Sequence, residues 1–197
     1  FSVQNLCHQF KDGNAALDEI SFQLKKGEMM AIIGSSGSGK TTLLKTLSQD
    51  IIPDKGNIKI DGYDLHSNYG FFNKYIGYVP AYDLLFNNLT VYENLYFCAR
   101  LRLNYVKDKA EIDRRIDNIL TQVRLSDRRD TKVGDIMHEK LSGGQRKRLN
   151  IALELLSDPL IIFLDEPTSG LSSKDSENLI NILLSLKEQG KIIITSI

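Results

Sequence analysis

The sequence predicts an α/β fold: a mainly parallel sheet in the core, antiparallel strands at the N-terminus, and a helical part inserted between two strand-bearing stretches. Three observations predict it. Gly34-Ser35-Ser36-Gly37-Ser38-Gly39-Lys40-Thr41 reads G-x-x-x-x-G-K-[ST], with the apolar run Met29-Met30-Ala31-Ile32-Ile33 ahead and the helical pattern Thr42-Leu43-Leu44-Lys45-Thr46-Leu47 behind. Strand, glycine-rich loop and helix in that order are the context that gives such a loop its meaning. Leu160-Ile161-Ile162-Phe163-Leu164 is a short, wholly apolar run, the texture of a parallel strand buried on both faces. Between these two lies a stretch whose apolar residues recur at helical spacing.

Residues 1 to about 28 alternate apolar and polar side chains, as in Phe22-Gln23-Leu24, and carry a Lys11-Asp12-Gly13-Asn14 turn, which predicts short antiparallel strands. Phe10 stands just before that turn and has two readings, half-buried strand packing or a flat face on which a nucleotide base stacks. In the glycine-rich loop, residues without side chains let successive backbone N–H groups close around phosphate oxygens. The helix N-terminus that follows adds unpaired donors and a dipole favourable to an anion. Lys40 is placed to reach the β- and γ-phosphates and the Thr41 hydroxyl to ligate Mg²⁺, so the loop is read as a nucleotide site.

Pro53-Asp54-Lys55-Gly56-Asn57 predicts a turn, Ile58-Lys59-Ile60-Asp61-Gly62-Tyr63 an alternating strand ending in a turn, and Ile76-Gly77-Tyr78-Val79-Pro80 a further strand ended by proline. From about Asp83 the texture turns helical, with Thr90-Val91-Tyr92-Glu93 as a capping box. Ile112, Ile116, Ile119, Leu120 and Val123 fall on one helical face. Arg124, Arg128, Arg129 and Lys132, interleaved with Asp127 and Asp130, predict a solvated face.

Leu141-Ser142-Gly143-Gly144-Gln145 opens the next helix, which continues with Leu149, Leu153 and Leu156. Ser142 and Gln145 fit a capping box, and that alone accounts for two of the five residues. Two glycines in a first turn cost stability, and they also let another molecule approach the backbone closely, which makes this exposed helix start a second anion site. Asp158-Pro159 ends the helix before the apolar strand. Asp165 and Glu166 come immediately at the strand's C-terminal end, where open α/β sheets place ligands. Beside a phosphate loop, Asp165 is expected to hold Mg²⁺ through its water shell and Glu166 to accept a proton from the water that attacks the γ-phosphate. Ser176 to Leu186 predicts a helix with Leu179, Ile182, Leu183 and Leu186 inward, and Lys191-Ile192-Ile193-Ile194-Thr195 the next buried strand.

Composition narrows the field. At 197 residues the chain is long enough for one domain with a sizeable core. Lys+Arg and Asp+Glu are both 25, and a balanced charge argues against nucleic acid as a partner. Cys7 and Cys98 fit neither a disulfide framework nor a zinc pattern and are expected to be thiols in a reducing compartment. No apolar run is long enough to span a bilayer and no signal peptide is visible. The chain opens without Met and stops inside a strand-like run, so it is expected to be a piece of a longer protein.

Phosphate loop, Leu-Ser-Gly-Gly-Gln and apolar strand plus Asp-Glu, in that order, resemble the nucleotide-binding domain of an ATP-binding cassette (ABC) transporter over essentially the whole chain. Val133-Gly134-Asp135, Gln145-Arg146-Lys147-Arg148 and Glu166-Pro167-Thr168-Ser169-Gly170-Leu171 resemble the G-type (White) exporters and their bacterial relatives. The resemblance implies a P-loop NTPase (RecA-like) core in one domain, residues 1–197, cut short at its C-terminus. Its parts would be a β and phosphate-loop part over 1–82, a helical part over 83–140, and the signature helix with the acidic strand over 141–197. It also implies two such domains closing head to tail over two MgATP. Gly34, Ser35, Ser36, Gly37, Ser38, Gly39, Lys40, Thr41 and Thr42 would hold ATP in their own subunit, with Phe10 on the base. Thr41 and Asp165 would hold Mg²⁺, Glu166 and Lys40 would serve hydrolysis, and Ser142, Gly143, Gly144 and Gln145 would meet the partner subunit's ATP. Membrane permease domains, fused or separate, would be driven from the cytoplasmic side of the membrane.

Three departures from the family pattern stand out. The glutamine expected after Val79-Pro80 is Ala81, followed by Tyr82 and Asp83, so either Asp83 reaches in or coupling to the metal weakens. Ser172 stands where an aspartate is usual after Gly170-Leu171. The switch histidine expected after the last strand would lie past Ile197; His8, His66 and His138 do not match it, and surface or turn roles are expected for them. A catalytic part is therefore expected to be missing from these residues. The reading carried forward is a transporter motor. A soluble ABC ATPase of another cellular process, and a module that holds ATP but barely turns it over, are the alternatives.

Overall fold

The computed structural model describes residues 1–10, 13–103, 105–134 and 140–197; Lys11, Asp12, Asp135 and His138 lie outside the described residues. The chain divides into two compact units, one of residues 1–78, 160–167 and 186–197, the other of residues 79–159 and 168–185.

Four strands, β1 (Ser2–Gln9), β2 (Ala15–Gln23), β4 (Lys55–Ile60) and β5 (Tyr63–Asp64), make an antiparallel sheet in the order β2-β1-β4-β5, with β3 (Met29–Ile32) leaving it for the second sheet. Val3 and Leu6 of β1 are both buried although an even spacing does not separate them, since a register shift interrupts the alternation between them. Val3 on β1 faces Phe22 on one side and Ile58 on the other, and Val3 and Ile58 are both buried. The second sheet has the order β3-β8-β7-β6, with β6 (Ile76–Val79), β7 (Ile161–Leu164) and β8 (Ile192–Ser196). Every residue of β7 and β8 is buried, as their apolar runs predict for strands covered on both faces. β8 lies parallel to both neighbours, pairing Ile32 with Ser196 on one side and Leu164 with Thr195 on the other. The C-terminal ends of β3 and β7 therefore emerge level with Thr195 and Ser196. Helix α1 (Lys40–Leu47) packs on β2 and β8, and Leu44 and Leu47 join Leu6, Phe163 and Ile194 in one core.

Two boundaries and one short element differ from expectation, each for a local reason. β4 starts at Lys55, inside the expected turn, because Asn57 pairs with Gln4 across the sheet. A short helix α2 (Tyr69–Phe72), followed by a 3₁₀ turn over Asn73–Tyr75, is too brief to leave a helical period in the sequence. Helix α6 (Ser173–Glu188) starts three residues before Ser176, since the Ser172 hydroxyl accepts from Asp175 N at 3.2 Å and supplies the cap.

The second unit is helical. Its helices α3 (Val91–Arg102), α4 (Lys109–Gln122) and α5 (Gly143–Leu155) pack on one another. The predicted stripe Ile112, Ile116, Ile119, Leu120 and Val123 is buried. The basic cluster after α4 is only in part a solvated face. Arg124 and Lys132 are exposed, but Arg129 is half-buried, lies 4.0 Å over the Tyr92 ring and bonds Asp117 at 3.0 Å. Among the described residues no helix is long and apolar enough to cross a membrane.

The start of α3 is closed by the expected box: Glu93 N donates to Thr90 Oγ1 at 3.1 Å and Thr90 N to Glu93 Oε2 at 2.7 Å. Replacing Thr90 with Ala removes one half of it and is expected to lower stability by about 1 kcal/mol. Urea denaturation of the variant checks this; a midpoint equal to wild type would mean that the box contributes nothing.

Candidate functional site

Two loops leave the ends of parallel strands and meet. The first follows β3 and enters α1 through Gly39, whose φ of 90° is the left-handed region. A side chain there would place Cβ 2.7 Å from the Ala16 carbonyl oxygen, so the position needs glycine for space as well as for backbone. No side chain caps α1, so its first N–H groups are left to whatever enters the loop. The second loop begins at Asp165, directly after β7.

The two loops are tied by side chains. Thr41 donates its hydroxyl to Asp165 Oδ2 at 2.8 Å, and Asp165 is 3% exposed. Lys40 is 8% exposed; its ammonium donates to the carbonyls of Gly34 at 2.8 Å and Ser35 at 3.2 Å. Glu166 Oε1 lies 3.5 Å from Lys40 Nζ, with the glutamate side chain 41% exposed. A cavity of 690 Å³ opens in front of this group, within the roughly 300–1,000 Å³ of small-molecule sites. Ser36 to Thr42 and Glu166 line it on one side, and Phe10 with Ala15 and Ala16 on another. Of the predicted nucleotide residues, Gly34 and Ser35 are exposed but do not line the cavity, and their carbonyls accept from Lys40.

Phe10 is not packed into its strand. The residue is 46% exposed and lines the cavity, and the His8 ring meets its ring edge-on, 5.4 Å between centroids at 82°. His8 therefore does not have the surface role expected for it: it is half-buried behind Phe10, with Nδ1 3.3 Å from Asp54. His66 is exposed, within 3.0 Å of the Gln49 carbonyl.

The donor set suits a hard divalent cation. A threonine hydroxyl and a carboxylate oxygen already lie within hydrogen-bond distance of one another, and oxygen ligands few in number are what Mg²⁺ takes from protein when phosphates and water complete its shell. Among the described residues no group of three or more His, Cys, Asp or Glu could hold a metal by itself.

The remaining predicted residues belong to the second unit. Ser142 caps α5 in the expected box, its Oγ accepting from Gln145 N at 3.2 Å while Gln145 Oε1 accepts from Ser142 N at 2.9 Å. Ser142 and Gly143 are exposed, Gly144 buried. The second glycine has a partner in its own chain: a Cβ at position 144 would overlap the Asp175 side chain. Asp175 is in turn held by Ser172, whose hydroxyl donates to its Oδ2 at 2.9 Å. The same hydroxyl oxygen accepts from Asp175 N at 3.2 Å, the capping bond an aspartate could also make.

Ala81 is exposed, and Asp83 does not reach toward a ligand of its own. Asp83 Oδ2 accepts from Arg146 Nε at 2.6 Å and Oδ1 from Asn150 Nδ2 at 2.7 Å. Lys147 Nζ adds bonds to the carbonyls of Pro80 at 2.8 Å and Ala81 at 3.1 Å. The segment after β6 is thereby fastened to α5. One residue that no motif marks also enters the site: Ser196, wholly buried at the end of β8, bonds both Asp165 and Glu166.

A family model described as ABC transporter matches residues 17–169. "ABC transporter G family member 2" of Arabidopsis thaliana is 41% identical over 184 residues, 92% of this chain and 24% of that protein. "ABC transporter G family member 16" of the same plant is 37% identical over 190 residues, 95% of this chain and 26% of that one. The chain thus spans about a quarter of the length of the curated relatives it matches. Among solved structures, cbiO1 of Clostridium perfringens, part of the ABC transporter complex cbiONQ, superposes with a TM-score of 0.86 at 30% identity, covering 99% of this chain and 76% of that one. The ADP conformation of an ATP-binding cassette of an ABC transporter gives 0.84 at 26% identity, over 99% and 79%.

The contact between Gly144 and Asp175 can be measured by itself. Gly144→Ala is expected to cost about 1–3 kcal/mol, the range for overpacking. In an Asp175→Gly background most of that cost should vanish. Equal losses in both backgrounds, read from denaturation midpoints, would remove Asp175 as the reason for glycine.

Proposed function

The chain belongs to the ABC transporter family, and from that membership we propose that it is the ATP-hydrolysing motor of an exporter. The observation that carries the reading is one group of side chains: Lys40 beside Glu166 at 3.5 Å, and Thr41 on Asp165 at 2.8 Å, at the wall of one cavity.

ATP lies with its phosphates on the Gly34–Thr42 loop and its base against Phe10. Loop N–H groups and the N-terminus of α1 meet the β- and γ-phosphates with fixed dipoles, so the site need not reorganise as charge moves. Lys40 turns its ammonium from the Gly34 and Ser35 carbonyls to the phosphates, a short swing for a side chain with rotatable donors. Glu166 accepts a proton from water; the oxygen attacks the γ-phosphorus, and the bond to the β–γ bridging oxygen breaks to leave ADP and phosphate. Thr41 and Asp165 would hold Mg²⁺, which neutralises charge on the phosphate oxygens when bound.

Ser142 and Gly143, exposed at the start of α5, meet the ATP of a second copy, so that two chains close head to tail over two nucleotides. Closure is passed to permease domains, and the chain works at the cytoplasmic side of the membrane through them. A second reading has one observation in its favour. Position 81 offers no side-chain ligand and Asp83 is committed to Arg146 and Asn150, which supports a module that closes on ATP and hydrolyses it slowly.

In the full-length protein, Lys40→Ala should weaken ATP binding by two orders of magnitude or more, about 2.7 kcal/mol; unchanged affinity by calorimetry would refute its role. Glu166→Gln should bring turnover close to background and, with MgATP, trap the closed dimer. Wild-type ATPase activity in that variant would exclude Glu166 as the base, and light scattering that detects no association would count against closure.

A further inference from the structure

We propose that Ser196 is a positioning residue for hydrolysis, one hydroxyl that holds both Asp165 and the backbone of Glu166 so that the Glu166 carboxylate faces Lys40. The inference rests on the reading of Glu166 as the base.

Register puts the residue there. β8 runs between the strand that feeds the phosphate loop and the strand that feeds the acidic pair, and Thr195 pairs with Leu164. The next residue, Ser196, stands level with Asp165, in a strand whose other members are isoleucines and a threonine. Its side chain is wholly buried, where an unpaired hydroxyl is costly. The bonding directions are fixed by the partners. Asp165 Oδ1, a carboxylate oxygen, accepts the hydroxyl proton at 2.8 Å, and Glu166 N–H donates to the same oxygen atom at 2.8 Å.

Each bond has a mechanical effect. Asp165 carries Thr41 on Oδ2 and Ser196 on Oδ1, so its carboxylate cannot rotate without losing one of them. Glu166 has φ 42°, the left-handed region, which is unfavourable for a residue with a side chain and persists where surroundings over-determine it. The bond to Ser196 anchors that peptide at its N–H. A glutamate returned to an extended backbone would carry its side chain away from the ammonium it now approaches at 3.5 Å.

The test uses full-length protein carrying Ser196→Ala, Ser196→Cys or Glu166→Gln, assayed for steady-state ATPase and for binding of ATP without Mg²⁺. Ser196→Ala should lower kcat roughly 10- to 100-fold, the range for a lost catalytic alignment, while Mg²⁺-free ATP affinity stays within about twofold. Ser196→Cys, close in size and a weak donor, should fall between, and it decides the matter if the alanine variant does not fold. Turnover within twofold of wild type in the hydroxyl-less variant would overturn the proposal. So would a parallel loss of kcat and Mg²⁺-free affinity, the mark of general damage. Glu166→Gln separates the premise: if it retains wild-type turnover the base assignment fails, whereas a dead Glu166→Gln beside a fully active Ser196→Ala condemns Ser196 alone.

Discussion

A hydrogen bond of 2.8 Å between Thr41 and Asp165 joins residues 124 positions apart, and most of the first unit is arranged so that it can form. It needs β3 and β7 to run parallel with a single strand between them, and β8 supplies that strand with its whole length buried. It needs the chain to turn into α1 within a few residues of β3, which Gly39 permits against the Ala16 carbonyl. The apolar core of Leu44, Phe163 and Ile194 then sets the distance between helix and strand ends. Packing that is dense and slow to deform is what lets two loops keep a fixed separation.

Local chemistry was legible wherever a few neighbouring residues determine the outcome. The strand, glycine-rich turn and helix around Gly39, the boxes at Thr90 and Ser142, and the buried strands all fall in that class, because capping and burial patterns act over three or four residues. Contacts over long separations were not legible. Nothing near Ser196 marks it, since its partners lie 30 and 31 positions away and only the strand register brings them together. Gly144 has a constraint that its neighbours in sequence do not show, the side chain of Asp175 on another helix. His8 meets Asp54, far away in the sequence, only because β4 pairs with β1.

The departures from the family pattern look different once their surroundings are known. Serine at 172 starts α6 by accepting from Asp175 N and braces Asp175 by donating its hydroxyl to the carboxylate, a pair of bonds that needs a group able to do both. Alanine at 81 has no comparable substitute close by. The carboxylate two residues on is held by a guanidinium and an amide, which makes it part of the framework. Ser172 thus has a part in the fold of this chain, and the side chain at 81 has none.

The ties between 80–83 and α5 also bear on how such chains can be recombined. Asp83, Arg146 and Asn150, with Lys147 on two carbonyls, form a lock whose halves lie more than 60 residues apart in sequence. A chimera that imports one half from a relative with different residues would leave a guanidinium opposite no carboxylate, or an ammonium against a displaced backbone. A change on one side of this lock therefore strands its partner unless the other side changes to match.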